Sequence, residues 1–314
     1  MNYILLDFEW DCFYCPAAKG FVNEILQFGA VKLNENFKFI STFSADVRSS
    51  LSKKLSGRFK KLTGITNEQM LAGVPLRQAL QDYRSWAGED CLTLTWSDTD
   101  LHVLHKNCEL FLKTTAPACL GRYADLQKIF HAFLAAGGNP QTNQVSLENA
   151  ARMLNIPFRE EDLHCALDDS KLSAKILGQC AQSVALQPFI RNTNRPEFYK
   201  RLMYKPHFVA DLNSPAVDKA LLKPCCEKCG QPLQRLNKFK FINGFFRADF
   251  YCKACKTKYN FGVSFKQYYD RIITKQRFFV RKKRKKSAAG TANGTFNNAP
   301  AAALSASPKN NNSL

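Results

Sequence analysis

The arrangement of apolar and polar positions in the first part of the chain predicts a sheet built around an early buried strand. Tyr3 to Leu6 form a continuous apolar run, which is typical of a central strand covered on both faces. Two further runs, from Ile25 to Leu33 and from Phe37 to Phe43, predict strands. Because the connections between them are short, we expect these three strands to form an antiparallel meander.

The pattern changes after Pro75, where predicted helices and strands begin to alternate. Helices are predicted from Leu76 to Trp86, from about Asp100 to Leu112 and from Ala166 to Cys180, with a strand from Cys91 to Trp96 and a further strand and helix through Tyr123 to Leu134. A meander followed by such alternation indicates an α/β domain with a mixed sheet flanked by helices.

Charge is concentrated near the C-terminal end of the chain. The formal net charge is +19, and the stretch from residue 223 to residue 286 holds 19 lysines and arginines against three acids. The first 222 residues are therefore nearly neutral. An excess of this size favours a polyanionic partner, because counterion release and long-range steering both contribute to binding. A length of 314 residues allows one well-buried domain and a smaller second one.

Cysteine use and hydropathy bear on the compartment. No apolar run approaches the roughly 20 residues that a membrane-spanning helix needs, and no basic segment precedes the short apolar stretch at the N-terminus. Twelve cysteines without a secretion signal favour a reduced compartment in which thiols serve packing or metal binding. We therefore expect a soluble cytoplasmic protein.

Asp7 and Glu9 follow the first apolar run. They stand two residues apart, so both side chains leave the same face of the strand. Two carboxylates held together repel each other and lose hydration, and a divalent cation can offset that cost. The pair therefore indicates a magnesium or manganese site, although an isolated Asp-x-Glu more often begins a solvated loop.

Two later segments supply further candidate acids. A helix is predicted to start at Asp100, which is a metal ligand or only an N-cap, and Asp98 competes for the metal role. In the last predicted helix, Asp169 falls near the centre of the apolar stripe and Asp168 falls about 100° away, so Asp169 should face the sheet. His164 can share a site with Asp169 only if it lies on the loop before that helix.

Together these elements resemble the three motifs of the DEDDh exonucleases of the DnaQ-like superfamily, over roughly residues 1 to 182. The residues that fit are Asp7 and Glu9 in Asp-Phe-Glu, Asp100 ahead of Leu-His-Val-Leu, and His164 and Asp169 in His-x-Ala-x-x-Asp. Asp-Phe-Glu-Trp and the Trp96 motif are most similar to the branch with KapD-type sporulation inhibitors and enhanced-RNAi exonucleases, many of which act on RNA. Many relatives carry Asn-x-x-Phe-Asp where this chain has residues 96–100, which leaves Asp98 and Asp100 as alternatives.

The resemblance implies a ribonuclease H-like fold and a metal-dependent 3′-to-5′ exonuclease. Such an enzyme releases nucleoside 5′-monophosphates from the 3′ ends of single-stranded RNA or DNA, and the branch favours RNA. By resemblance, Asp7 would bridge two Mg²⁺ or Mn²⁺ ions, Glu9, Asp100 and Asp169 would complete the ligand set, and His164 would deprotonate the attacking water. The alternatives are a non-catalytic nucleic-acid-binding adaptor and a proofreading exonuclease of a DNA polymerase.

A second cluster of candidate metal ligands lies near the C-terminal end. Cys226-x-x-Cys229 and Cys252-x-x-Cys255 are separated by 22 residues, a pattern typical of a structural zinc site with four thiolates. Cys225 is an alternative to Cys226, although the two-residue gap to Cys229 favours Cys226. Zinc would contribute directly to the folding of so small a domain. Cys12 and Cys15 share the spacing but stand alone, so we expect them to serve loop packing.

Basic and aromatic residues alternate between the two cysteine pairs, through Lys238, Phe239, Lys240, Phe241, Phe245, Phe246, Arg247, Phe250 and Tyr251. This pattern predicts a nucleic-acid surface in which cations meet phosphates and rings stack on bases. A hairpin with inward aromatics and solvated lysines fits the period equally well, and the local charge favours nucleic acid. The basic run Arg281 to Lys286 is interpreted as a further segment that binds nucleic acid through its charge. A nuclear-localisation signal and a solubility segment are the alternatives.

These patterns divide the chain into five parts. We predict an exonuclease domain over residues 1–186, a connector over 187–222, a zinc ribbon over 223–270, a basic segment over 271–286 and a disordered tail over 287–314. The tail is built from Ala, Asn, Ser, Gly and Thr, which offer too little apolar surface to bury.

Overall fold

The structure is a computed structural model that describes residues 1–114 and 120–279. It forms two compact units, the first comprising Met1–His207 with Tyr268–Arg271 and the second comprising Phe208–Gln267 with the described residues from Ile272 to Phe279. Residues 280–286 of the predicted basic segment, which include the run Arg281 to Lys286, and the predicted disordered tail lie outside the described residues. The domain limits predicted at residues 186, 222 and 270 stay predictions.

The first unit combines one sheet with eight helices among its described residues. Its strands are β1 (Asn2–Cys15), β2 (Gly20–Leu33), β3 (Phe39–Asp46), β4 (Cys91–Thr95), β5 (Arg122–Asp125) and β6 (Arg191–Asn192). Its helices are α1 (Gly57–Thr63), α2 (Asn67–Ala72), α3 (Leu76–Ala87), α4 (Thr99–Asn107), α5 (Leu126–Ala136), α6 (Leu147–Met153), α7 (Ala166–Cys180) and α8 (Pro196–Leu202). A π-helical turn, Cys108–Leu112, continues α4.

The sheet of the first unit is mixed, as the element order predicts. Its strand order is β3-β2-β1-β4-β5-β6. Strands β1, β2 and β3 pair antiparallel, β1 pairs parallel with β4, β4 pairs parallel with β5, and β6 closes the edge antiparallel to β5. The antiparallel meander and the α/β class are thus confirmed.

Strand β1 lies between two apolar cores, which explains its continuous apolar start. Ile4 and Leu6 pack in one core with Tyr83 of α3, while Leu5 packs in the other with Ile176 of α7. All three of these β1 side chains are buried, because helices cover both faces of the sheet here. Beyond Leu6 the strand continues to Cys15 with alternating burial, so it is far longer than the apolar run predicts.

Four short helices, α1, α2, α6 and α8, had no clear sequence signal. Three of them begin at hydroxyl caps, because the side chains of Ser56, Thr66 and Ser146 each accept a hydrogen bond from a backbone N–H in the first turn. Helix α8 lies within the predicted connector and buries Tyr199. No helix among the described residues is long and apolar enough to cross a membrane.

The second unit contains a smaller sheet. Its strands are β7 (His207–Phe208), β8 (Gln234–Arg235), β9 (Lys240–Ile242), β10 (Phe245–Cys252), β11 (Thr257–Gln267) and β12 (Ile272–Phe279). β12, β11 and β10 pair antiparallel in that order, β8 and β9 both pair with β10, and β7 pairs with β11. Phe246, Phe250, Phe261 and Phe265 form the centre of its core.

Candidate active site

Asp7 and Glu9 lie on β1 where the strand passes the end of the two cores. They alternate with Phe8, which is buried, so both carboxyls leave the same face of the strand as the sequence predicts. The pairing of β1 with β2 shifts register directly after Glu9, between Glu9 and Trp10. Such bulges locally bend a strand and re-aim its side chains.

The buried amide of Asn107 stabilises this irregularity. Its Oδ1 accepts the backbone N–H of Ile25 at 3.0 Å, and its Nδ2 donates to the carbonyl oxygen of Asn23 at 2.8 Å. Both partners lie on β2 beside the register shift, so α4 and the bulged strand are held together. No local sequence pattern marks Asn107, because its partners are more than 80 residues away along the chain.

Helix α7 approaches β1 closely because Gly29 lies between them. Gly29 pairs with Asp7 in the sheet, and a Cβ atom at this position would lie 2.0 Å from the carbonyl carbon of Ala166. The hydroxyl of Ser170 donates to the Gly29 carbonyl oxygen at 2.8 Å. The first turn of α7, which contains Asp169, is therefore fixed beside Asp7 and Glu9.

The structure distinguishes the two candidate acids that precede α4. Asp100 is only 5% exposed, and its Oδ1 accepts the backbone N–H of Phe8 at 3.3 Å, between the two β1 acids. Asp98 occupies the N-cap position of α4, and its 46% exposed carboxyl lies 3.9 Å from Lys128 Nζ. Asp100 therefore joins the acidic cluster, and Asp98 lies at the surface.

His164 lies two residues before α7, on the loop where the helical geometry requires it. Its φ angle of 66° is in the left-handed region, which a residue with a side chain rarely adopts. Its backbone N–H donates to Asp169 Oδ2 at 3.3 Å. One ligand atom each from Glu9, His164 and Asp169 lie within 4.8 Å of one another, and strained backbone of this kind is common at functional sites.

Burial raises the pKa of all four carboxyls, and repulsion within the cluster adds to the effect at Asp7, Glu9 and Asp100. Burial is the main reason that the pKa of Asp7 lies well above its usual range, and Asp100 and Asp169 add to the effect. Burial likewise raises the pKa of Glu9 to about 8, that of Asp100 to about 7 and that of Asp169 to about 6, the last opposed by His164. The cluster therefore holds protons near neutral pH, as expected of carboxyls that a divalent cation completes.

The acids open into a cavity of about 480 Å³, which Asp7, Glu9, His164 and Asp169 line together with residues of α1 and of the β1–β2 hairpin. Arg58 of α1 is exposed at its wall. Asp11 is buried and accepts hydrogen bonds from the backbone N–H of Ser56 at 2.6 Å and from its hydroxyl at 2.9 Å. Asp11 therefore fixes the start of α1, and with it the position of Arg58.

The predicted Cys12 and Cys15 pair is not in a loop, because both residues lie on β1. Cys12 is exposed at the cavity, and Cys15 is buried. Their odd spacing on a strand directs the two side chains to opposite faces.

The four cysteines Cys226, Cys229, Cys252 and Cys255 come together in the second unit, with all sulfur atoms within 4.8 Å of one another. The Cys226–Cys255 and Cys229–Cys252 sulfur distances are 4.0 and 3.6 Å. A tetrahedral zinc site with Zn–S bonds of about 2.3 Å requires sulfur separations of about 3.8 Å. Cys226 Sγ and the Tyr259 hydroxyl form a hydrogen bond of 3.1 Å, which lowers the pKa of the Cys226 thiol to about 6. Cys225 is exposed and lies next to this group.

A mixed sheet with four carboxyls and a histidine gathered beside β1 is an arrangement suited to binding divalent metal ions. Residues 4–177 match the exonuclease family model RNase_T. The chain therefore belongs to this exonuclease family, which confirms the predicted enzyme class.

Two curated relatives show how much of the chain is shared. Over 200 residues it is 29% identical to ERI1 exoribonuclease 2 of Xenopus laevis, covering 55% of this chain and 27% of that protein. Over 109 residues it is 31% identical to the probable 3′-5′ exonuclease KapD of Bacillus subtilis (strain 168), covering 33% of this chain and 52% of that protein. The chain thus spans about a quarter to a half of the length of these relatives.

Two solved structures are similar in fold. The nuclease domain of 3′hExo, a DEDDh family member bound to rAMP, matches with a TM-score of 0.50 and 27% identity, covering 58% of this chain and 92% of that chain. A 3′-exonuclease, from a structure of 3′-end specific recognition of histone mRNA stem-loop, matches with a TM-score of 0.50 and 26% identity. The match covers 58% of this chain and 81% of that chain. The predicted DEDDh resemblance and ribonuclease H-like fold are confirmed.

Proposed function

We propose that this chain is a 3′-to-5′ exonuclease that removes nucleoside 5′-monophosphates from the 3′ ends of single-stranded RNA. The observation that carries the proposal is the convergence of Asp7, Glu9 and Asp169 with His164 at one cavity, with the buried carboxyl of Asp100 directly behind them at Phe8. These residues come from β1, α4, α7 and the loop that precedes α7, so the fold brings together side chains that are distant in sequence.

The donor set suits hard divalent cations. All four acids offer oxygen ligands, which Mg²⁺ and Mn²⁺ prefer, and the repulsion that raises their pKa values favours a cation among them. We assign Asp7, Glu9, Asp100 and Asp169 as its ligands, directly or through water. When bound, such ions supply positive charge that stabilises the attacking and leaving oxygens of phosphodiester hydrolysis.

His164 is placed to act as the general base. Its side chain is exposed at the cavity that the acids line, and histidine is the side chain best suited to exchanging protons near neutral pH. The hydrogen bond from its backbone to Asp169 fixes the loop, so the imidazole stays near the cluster. It takes the proton of the attacking water while Arg58, the cation at the cavity wall, attracts the phosphate.

The choice of RNA rests on the relatives. One similar structure contains rAMP, another concerns recognition of a histone mRNA stem-loop at its 3′ end, and a curated relative is named an exoribonuclease. The cavity is about 480 Å³, which suits a terminal nucleotide rather than a duplex. A free single-stranded 3′ end is therefore the proposed substrate.

We further propose that the four-cysteine cluster holds one structural Zn²⁺, which makes the second unit a zinc ribbon. The sulfur separations fit a tetrahedral thiolate site, and the core of this unit is small. Cys226, Cys229, Cys252 and Cys255 are the assigned ligands.

A paired degradation assay tests the proposed function. Purified chain is incubated with 3′-labelled RNA and DNA strands of one sequence, with Mg²⁺ or Mn²⁺ and then in buffer stripped of both ions. We expect labelled 5′-mononucleotides from RNA only when an ion is present, and slower release from DNA. Failure to release mononucleotides from either strand would contradict the activity and favour the adaptor. Equal rates on DNA would contradict the preference for RNA.

A further inference from the structure

The sheet of the second unit has one buried face and one partly exposed face. On β10, Phe246, Ala248, Phe250 and Cys252 are buried, whereas the alternate residues from Phe245 to Tyr251 are only partly buried. Successive side chains of a strand point to opposite faces. The face that carries Phe245 and Arg247 is called the open face.

A row of cations crosses the open face. Arg247 of β10 pairs with Lys240 of β9 on one side and with Gly262 of β11 on the other, and Gly262 pairs with Arg277 of β12. Residues paired in this way share a face, with Cβ atoms about 5 Å apart between neighbouring strands. Lys240 and Arg277 are exposed. Three cations therefore stand in one line across four strands.

Two aromatic rings flank the central arginine of this row. The guanidinium carbon of Arg247 lies 3.7 Å from the ring centre of Phe279 and 5.8 Å from that of Phe245. The two rings are 5.4 Å apart at an angle of 84°. A Cβ atom at Gly262 would lie 2.8 Å from the Phe279 ring, so the absent side chain makes room for this arrangement.

The polar groups of the open face leave it positively charged. The buried Nε of Arg247 has no hydrogen-bond partner among the described residues. Asp249 lies on the same face, and its carboxylate accepts hydrogen bonds from the amides of Asn237 and Asn260, each at 2.9 Å. One carboxylate against the three cations of the row leaves a net positive surface.

We propose that the open face binds single-stranded RNA, with bases stacked on Phe245 and Phe279 and phosphates held by Lys240 and Arg277. The cations match the charge of a nucleic-acid backbone, and rings beside an arginine plane match unpaired bases. Bases within a duplex are not available for stacking on protein side chains, which selects a single strand. The choice of RNA over DNA rests on the proposed function. An acidic peptide would pair with the cations but would not account for the aromatic rings beside them.

Binding to a fluorescent RNA of about 16 nucleotides tests this surface. The full chain carries Asp7→Asn throughout, so the measurement is independent of hydrolysis and of the outcome of the degradation assay. We expect Lys240→Gln with Arg277→Gln to weaken binding about tenfold at 0.1 M salt. We also expect the slope of log affinity against log salt to fall by about 0.7 for each cation removed. Both side chains are exposed, so the fold should be unaffected.

A matched control removes two cations from elsewhere in the same unit, through Lys219→Gln with Lys253→Gln. Lys219 lies on a segment outside the strands, which a hydrogen bond from Gln276 to the carbonyl oxygen of Leu221 attaches to β12. Lys253 lies in the turn after β10. Neither lysine belongs to the row of cations on the open face. Both lysines are exposed. We expect this variant to bind RNA within about twofold of the parent. Equal losses in the two double variants would overturn the proposal.

The aromatic contribution has its own test. Phe279→Leu keeps an apolar side chain but removes the ring, and we expect it to weaken binding of the RNA about tenfold while leaving binding of an abasic strand of the same length unchanged. An equal loss on both strands would overturn base stacking. Equally tight binding of single-stranded DNA would overturn the assignment to RNA, and equal competition by polyglutamate would replace it with an acidic protein partner.

Discussion

The two candidate metal clusters of this chain differ in how far apart their ligands lie in the sequence and in the size of the core around them. The carboxyls are spread from residue 7 to residue 169, on three elements of a unit whose two cores fold around a six-stranded sheet. The thiols come from two short turns, in a unit with one smaller core. We therefore expect the first unit to fold without a metal ion and the second to need zinc for its fold.

The pKa shifts of the ligand side chains also differ between the two clusters. Burial and repulsion raise the pKa of each acid in the first cluster, so these residues oppose the stability of the domain that holds them. In the second cluster the pKa shifts go in both directions, because a hydrogen bond with Tyr259 lowers the pKa of Cys226 to about 6 and one with Cys229 raises the pKa of Cys255 to about 12. We therefore expect the acidic cluster to lower stability until a cation binds, and the four thiols to raise stability once zinc is bound.

The largest expected effect is on the fold of the second unit. Cys229→Ser removes one of four zinc ligands, and structural zinc supplies on the order of 10 kcal/mol to a small domain. We expect the variant to lose zinc and the protection of the β10 and β11 amides from hydrogen exchange. Protection in β1 and β4 should remain.

Cys225→Ser provides the matched control, because Cys225 is an exposed neighbour of the same cluster. It should keep one zinc per chain and full protection. Loss of zinc in this variant, with retention in Cys229→Ser, would show that the ligand assignment is wrong.

The next effect concerns catalysis in the first unit. We expect His164→Ala to reduce kcat by about a hundredfold or more, because a general base contributes typically 10²- to 10⁴-fold. The unfolding temperature should change little, since the imidazole is exposed. His102→Ala, a histidine of α4 on the wall of a different cavity, is the control and should retain activity. Equal activity of the two variants would exclude His164 as the base.

The smallest expected effect is a dependence of stability on pH. Between about pH 4 and pH 8 the folded, metal-free protein holds protons on acids such as Glu9, with a pKa of about 8, that the unfolded chain has released. The free energy of unfolding should therefore fall as pH rises through this window. Below it both states are protonated, and above it both are ionised.

Thermal unfolding of metal-free protein at several pH values measures this dependence. Mn²⁺ should raise the unfolding temperature most at the high end of the window, because metal binding displaces protons. Glu9→Gln removes one titrating group and should flatten the fall. A wild-type unfolding temperature that rises with pH more steeply than that of Glu9→Gln would contradict the electrostatic account.

Local geometry predicts three of the five central residues, and Asp100 and His164 come from the family resemblance. Period 2 places Asp7 and Glu9 on one face of β1, and the angle of about 100° per helical residue turns Asp169 towards the sheet. Asp11 extends the alternation of Asp7 and Glu9 by one step and was missed because the apolar run that marks the strand ends at Leu6. Asn107 has only distant partners, so no local pattern reveals it.

The basic and aromatic alternation of the second unit was only partly informative. The sheet directs Phe246 and Phe250 inward, as the hairpin interpretation requires, and exposes Phe245 and Arg247 in part, as the nucleic-acid interpretation requires. Phe279 joins them only through the pairing of β11 with β12. The register between strands that are distant in sequence is a tertiary property, which periodicity does not determine.

Metal content measured on two proteins tests the central comparison most directly. Wild type and Asp7→Asn, both purified with zinc, are dialysed against Mn²⁺, and manganese and zinc per chain are determined by atomic emission. We predict one zinc in both proteins, Mn²⁺ bound by the wild type, and Mn²⁺ bound at least tenfold more weakly by Asp7→Asn with no fall in unfolding temperature. Equally tight Mn²⁺ binding by Asp7→Asn would contradict the assignment of the acidic cluster as the catalytic metal site.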